Sequence, residues 1–302
     1  MQVIGGGNMI RLAVVSGKGG TGKTVITGGI VHLSRCAKVM VDCDVDAANL
    51  ELIVNPHIIK REEFTGMEGA YINPAQCSSC GVCSDACRFG AIEPIGNTYA
   101  VHPDQCEGCG VCRVICPSMA ISMRPRVCGE IFYSETPYGN LVHARLAPGA
   151  ANSGLLVGKI KKIALERNGE CDLMLVDGPP GIGCPLISTI TGMDQLLVVT
   201  EPSVSGLHDL QRLIRVCRPL RLNMMVAINK YDLNPGVSNS IREYCGKEDI
   251  PIGGMIPYDE SVMDVVRKGR LVTEYDTPSA QAIHSLWDEI VSTLGVRDIA
   301  GQ

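Results

Sequence analysis

Residues 17–24 read GKGGTGKT, and no other stretch limits the fold as much. The glycines let backbone N–H groups curl round phosphate oxygens. Lys23 then reaches the outer phosphates, and Thr24 offers a hydroxyl to magnesium. Such a loop works between a strand and a helix, and both are written beside it. Residues 12–15 are a short apolar run, and Val25, Ile26, Ile30 and Leu33 follow at helical spacing. Further short apolar runs at 39–41, 173–176, 196–199 and 224–228 each meet polar, Gly or Pro residues at their C-terminal ends, as buried parallel strands do. Helical patterns at 207–216 and 280–294 alternate with them. The expectation is an α/β fold with a doubly wound, mostly parallel sheet. A 45% hydrophobic content over 302 residues supplies its core, which at 4% aromatic must be aliphatic.

One segment breaks the rhythm. Residues 69–126 are rich in Cys, Gly and Pro and carry no long apolar run, so they divide the phosphate-binding domain into 1–68 and 127–302. The segment is a duplication: Pro74, Gln76, Cys77, Cys80, Gly81, Val82, Cys83 and Cys87 recur 29 positions on, from Pro103 and Cys106 to Cys116. Each half reads C-x2-C-x2-C-x3-C. Zinc sites pair C-x2-C knuckles set well apart, whereas three Cys at this spacing wrap one corner of a cubane and the fourth serves a second one. The spacing therefore predicts one 4Fe–4S cluster on Cys77, Cys80, Cys83 and Cys116, and another on Cys106, Cys109, Cys112 and Cys87. Pro117 follows the last Cys as the bacterial ferredoxin pattern expects, and Arg88 departs from it in the first half. The segment reads as a small inserted α+β ferredoxin-like domain.

Phosphoryl transfer needs a metal near the phosphates and an oriented water. Asp177, at the end of an apolar run, fits a magnesium-holding role through a bound water. Lys18 is a second lysine that phosphate cradling does not require. With it, KGGTGKT resembles the deviant Walker A loop of the MinD/ParA/Mrp ATPases and the nitrogenase iron protein. That resemblance implies several roles. Lys18 would reach a partner's nucleotide across a nucleotide-sandwich dimer. Asp44, in VDCDVD, would be the switch I aspartate that positions water, with Asp42 behind it and Asp46 a surface cap. Gly181, in GPPG, would present its N–H to the γ-phosphate. Together Gly17, Lys18, Gly19, Gly20, Thr21, Gly22, Lys23 and Thr24 would hold ATP or ADP. For the base, residues 228–232 contain N-K-x-D, which resembles the guanine-reading motif of GTPases. The family also places an Asn here, Asn229, and Pro257 and Asp259 resemble its adenine-flanking loop. ATP is the expected nucleotide.

The whole resembles MinD-superfamily ATPases carrying an inserted ferredoxin domain. It implies ATP hydrolysis that gates electron delivery to an unknown redox partner, from a homodimer or a heterodimer with a paralogue. A cluster-assembly ATPase and a redox-sensing positioning ATPase are the rival readings. Net charge of −5 argues against nucleic acid as the main partner, and Arg212, Arg215, Arg218 and Arg221 read as a solvated face. The C-terminal sequence is not basic, which argues against membrane attachment. The six His show no metal-ligand spacing. Cys184 reads as a buried thiol and not a ligand. The start lacks a signal peptide, with GGG before Asn8 read as a foreign leader, and the remaining Cys suit a reducing, cytoplasmic setting.

Overall fold

The structure, a computed structural model, describes residues 9–66, 68–150 and 152–294. The leader at 1–8 and the C-terminal tail from 295 lie outside the described residues.

The chain opens with β1 (Ile10–Ser16), the phosphate loop, α1 (Lys23–Leu33) and β2 (Lys38–Asp42), followed by α2 (Glu51–Val54) and β3 (His57–Thr65). It then leaves for a small unit built of β4 (Gly69–Ile72), α3 (Val82–Asp85), β5 (Ile92–Ile95), β6 (Thr98–Val101), α4 (Val111–Ile115) and β7 (Ile121–Arg124). It returns through β8 (Val127–Thr136), β9 (Gly139–Leu146), α5 (Ser153–Arg167), β10 (Leu173–Pro180) and α6 (Cys184–Ile190). The rest is β11 (Gln195–Thr200), α7 (Val204–Cys217), β12 (Asn223–Asn229), α8 (Pro235–Lys247), β13 (Ile252–Ile256), α9 (Ser261–Arg267) and α10 (Pro278–Leu294).

Nine strands form one sheet in the order β13-β12-β11-β1-β10-β2-β9-β8-β3. The seven from β13 to β9 run parallel, and β8 and β3 add an antiparallel edge. Strand alternation feeds both faces. In β1, Ala13 and Val15 face the core under α5, α6, α7 and α8, while Leu12 and Val14 face the core under α1, α9 and α10. Both faces are covered, so the mostly parallel α/β architecture expected from the apolar runs is the one observed. The functional strand ends of β1, β2, β10 and β12 all lie along one edge of the layer.

The small unit does not follow β2 directly, since α2 and β3 come first. It sits between β3 and β8, which pair with each other (Thr65 opposite Val127). Departing and returning chains touch, with Gly66 N–H donating to the Arg126 carbonyl at 3.1 Å. Inside the unit β4 pairs with β7 and β5 with β6, both antiparallel.

Candidate functional site

The phosphate loop turns on two glycines in the left-handed region, Gly20 and Gly22. Gly22 has φ of 86°, and a Cβ there would lie 2.1 Å from Asn229 Nδ2. Gly19 and Gly20 face open space in a cavity of about 550 Å³, whose walls include Lys23, Thr24, Asp44, Asn49 and Pro180. The Thr21 hydroxyl is buried there without a protein partner among the described residues. A loop of free backbone with an orphaned hydroxyl fits a phosphate chain.

Asp177, at 0% exposure, gathers the charged groups. Lys23 Nζ donates to its Oδ1 at 2.8 Å, Thr24 Oγ1 to its Oδ2 at 2.8 Å, and Thr27 Oγ1 to Oδ1 at 2.8 Å. Burial opposes the Lys23 charge, but Asp177 offsets it, with Asp42 and Asp44 adding, and the Lys23 pKa rises above its ordinary value. Thr27 escaped the sequence reading. It lies one helical turn past Lys23, so it shares a face with it. Asp42 is fully buried and accepts from the N–H groups of Asp44, Asn49 and Leu50. It holds the loop that carries Asp44. Burial, then the Asp177 charge, push Asp42 up to about 7, and burial pushes Asp44 up to about 6. Asp46 is exposed. Gly181 N–H, expected at a phosphate, donates instead to the Ser16 carbonyl at 3.0 Å.

Lys18 turns back on its own chain. Its Nζ meets Glu201 Oε1 at 2.6 Å and the hydroxyls of Ser203 and Ser205 at 3.0 Å each. Burial works against the Glu201 charge, yet Lys18 and then Lys230 hold its carboxyl below the ordinary range. None of these three acceptors was legible beforehand, since they lie some 185 positions along the chain.

Next to the phosphate cavity is a second one of about 350 Å³, lined by Asn229, Lys230, Pro257, Tyr258, Asp259 and Ser279 and sharing Gly20, Gly22 and Val25. Asn229 Nδ2 donates to the Thr21 carbonyl at 2.8 Å. Asp232, the last member of N-K-x-D, accepts from Tyr258 N–H at 2.7 Å and is not among the residues lining the cavity. Asp259 is spent locally. Burial opposes it, but the hydroxyls of Ser261, Ser279 and Thr277 hold it at about 2.

In the small unit, two backbone bonds decide which cysteines meet. Asn73 N–H, ahead of Cys77, donates to the Ala120 carbonyl, beyond Cys116, at 2.8 Å. His102 N–H, ahead of Cys106, donates to the Ala91 carbonyl, beyond Cys87, also at 2.8 Å. Each half is thus stitched to the tail of the other. As a result Cys77, Cys80, Cys83 and Cys116 line one hollow, and Cys106, Cys109, Cys112 and Cys87 line another. The hollows are small, about 10 and 20 Å³, and each is ringed by its four cysteines. Among the described residues no three Cys, His, Asp or Glu converge closely enough to hold a single ion.

Hydrogen-bond donors reach the sulfurs of the first set. Ala120 N–H lies 3.3 Å from Cys116 Sγ, and Ser118 Oγ lies 3.5 Å from it. The Thr98 hydroxyl is buried without a well-aligned hydrogen bond, and the group it faces is the Cys77 sulfur. Thr98 holds the Cys77 thiol, and Ser118 the Cys116 thiol, below the ordinary value. Four cysteines round one hollow, with donors beside a sulfur, suit a cubane whose sulfurs carry negative charge. All fifteen Cys are free of disulfides. Cys184 is exposed and not buried as expected, because α6 begins on the solvent side of the GPPGIG turn. Arg212 and Arg218 pair with Asp209 and Glu248 on an exposed face.

A family model described as the CobQ/CobB/MinD/ParA nucleotide binding domain matches residues 12–272. The chain belongs to that family. The matched span contains the phosphate loop, Asp42, Asp44 and Asp177. An uncharacterized protein of Methanocaldococcus jannaschii is 32% identical over 286 residues, 94% of this chain and 97% of its own. An iron-sulfur cluster carrier protein of Pyrococcus furiosus is 25% identical over 139 residues, 42% of this chain and 47% of its own. Among solved structures, the septum site-determining protein MinD complexed with Mg-ADP from Pyrococcus horikoshii superimposes with a TM-score of 0.57 at 19% identity. The match covers 95% of this chain and 98% of that one. That likeness is one of fold. No helix among the described residues is long and apolar enough to cross a membrane.

Proposed function

We propose that this chain is an ATP-hydrolysing iron–sulfur protein that forms a nucleotide-sandwich dimer and couples ATP turnover to electron transfer through two 4Fe–4S clusters. The observation that carries the reading is the exchange of fourth cysteines between the two halves, with each set of four round its own hollow. Such an exchange has no use in a zinc knuckle. On this reading 69–126 is an inserted ferredoxin-like domain.

On this reading Lys23 leaves Asp177 to contact the outer phosphates. Thr24 and Asp177 then hold magnesium, which supplies charge neutralisation for the transferring phosphoryl group. Asp44, deprotonated and held by the Asp42-anchored loop, orients the attacking water. Lys18 leaves Glu201 for the partner's nucleotide. Adenine is the better reading for the base. N-K-x-D spends Asn229 on the phosphate loop and Asp232 on the Tyr258 amide, which leaves no carboxylate to read guanine.

The coupling would run through two backbone hydrogen bonds and one arginine side chain. Leu146 N–H donates to Val45, beside Asp44, and Ala147 N–H donates to Cys128. Arg126, two residues before Cys128, donates to the carbonyls of Pro103 and Cys106. A shift of the Asp44 loop on hydrolysis would therefore bear on the Cys106 loop. The redox partner would be a cytoplasmic electron carrier.

The test is anaerobic purification with EPR during ATP turnover. Reduced-cluster signals should change rate of appearance or decay with ATP and magnesium. Indifference to ATP would defeat the coupling, and a chain without iron would defeat the cluster assignment. A cluster carrier is the second reading, favoured by the similarity to the Pyrococcus furiosus carrier. It predicts transfer of iron and sulfide to an apo acceptor, whereas the electron-transfer reading predicts retention.

A further inference from the structure

The 29-position offset that relates the cysteines, from Cys77 to Cys106, also relates the walls around them, and there the two halves differ. Thr98 and Tyr99 stand at the Cys77 site where the Cys106 site has Gly69 and Ala70. Ser118 stands where the other has Phe89, and Ser78 where the other has Glu107. Every hydroxyl falls on one side. At the Cys77 site the Ser118 hydroxyl lies 3.5 Å from Cys116 Sγ. The Thr98 hydroxyl is buried with no partner among the described residues, next to Tyr99, which lines the hollow. The Tyr99 hydroxyl covers Gly81, 2.9 Å from where a Cβ would stand. At the Cys106 site Phe89, Ala70, Val101 and Val111 line the hollow beside the Glu107 carboxylate, with no Ser, Thr or Tyr among the described lining residues.

Reduction adds one negative charge to a cluster, most of it felt at its sulfurs. Donors aimed at sulfur stabilise that charge, while a carboxylate alongside opposes it. We propose that the two sites are poised at different reduction potentials, with the Cys77 site the first to accept an electron and Thr98 and Ser118 the residues that set the difference. This rests on the proposed occupancy of both hollows by 4Fe–4S clusters. The step is a one-electron reduction of each cluster, with dithionite as the reductant and no bond made or broken.

The experiment is an anaerobic dithionite titration of the whole chain, followed by EPR, with iron and sulfide measured on the same sample. At half-reduction one site should carry at least three times the spin of the other, which for two independent one-electron couples is a gap of about 59 mV. Thr98→Val and Ser118→Ala should each narrow that gap by making the first-reduced site harder to reduce. Glu107→Ser should narrow it from the other side, by making the second site easier to reduce. Two clusters that titrate together overturn the inference while leaving the proposed function standing. So does a gap unmoved by both Thr98→Val and Glu107→Ser. A chain that binds no cubane overturns both.

Discussion

Glu201→Gln should tighten the ATP-dependent dimer. Lys18 is held by Glu201 at 2.6 Å and by two hydroxyls at 3.0 Å, with the ion-pair side chains 26% and 21% exposed. An ion pair this accessible contributes about 1 kcal/mol or less. If Lys18 must leave it to reach a partner's nucleotide, that energy opposes assembly in each protomer. Removing about 1 kcal/mol raises the competent fraction about 5-fold, or about 30-fold for a symmetric dimer that needs both lysines. The measurement is sedimentation equilibrium with ATP and magnesium, in an Asp44→Ala background that slows hydrolysis. Glu201 also lies 3.5 Å from Lys230, so Lys230→Met serves as the control for that contact. An unchanged or weaker dimer for Glu201→Gln would refute the reasoning. So would equal tightening when Lys18 is already Ala.

Cys87→Ser should lower bound iron from about eight atoms per chain to about four and spare the Cys77 site, while Cys116→Ser should do the reverse. Iron analysis with EPR reads both. Burial places Asp44 at about 6, so its carboxylate is protonated below that pH. ATP hydrolysis should therefore fall as pH drops through about 6 and level off above it, a dependence that Asp44→Asn should lack. Lys161 Nζ donates to the carbonyls of Ser188, Thr189 and Thr191 within 2.6–2.8 Å, closing the end of α6. Lys161→Met orphans all three and should cost about 3–5 kcal/mol by urea unfolding. Asp232→Ala should weaken ATP binding only a few-fold, by loosening Tyr258, and should leave the preference over GTP intact. Titration with both nucleotides reads it.

What the sequence disclosed followed from how locally each feature is encoded. GKGGTGKT needs only its flanking strand and helix, and five parallel strands were visible because burial on both faces makes each a continuous apolar run. β3 was hidden for the opposite reason. It is an edge strand, its residues HIIKREEFT almost all exposed, and its charges fit an edge that must not pair with another chain. The cysteine exchange could be read because cubane ligation imposes a spacing. The exposure of Cys184 could not, since it depends on which side of the sheet α6 begins. Lys18 looked free to reach outward, but Glu201 and Ser203 arrive beside it through the fold from the far end of β11. The same holds for Gly181, whose N–H was expected at a phosphate and is instead taken by Ser16, the strand end that faces it.

The touching of Gly66 and Arg126 has an implication for how such a chain came about and how it can be taken apart. β3 and β8 are already in hairpin register where the small unit departs, so a two-residue turn could join them without disturbing a single pairing. The sheet owes the cysteine unit nothing. A version with 67–125 replaced by Asn-Gly should fold and bind nucleotide as a bare MinD-type domain, while the excised piece keeps both stitched halves. Arg126, at the splice, donates to the Pro103 and Cys106 carbonyls, so cutting there would also release one of the ties between the two modules.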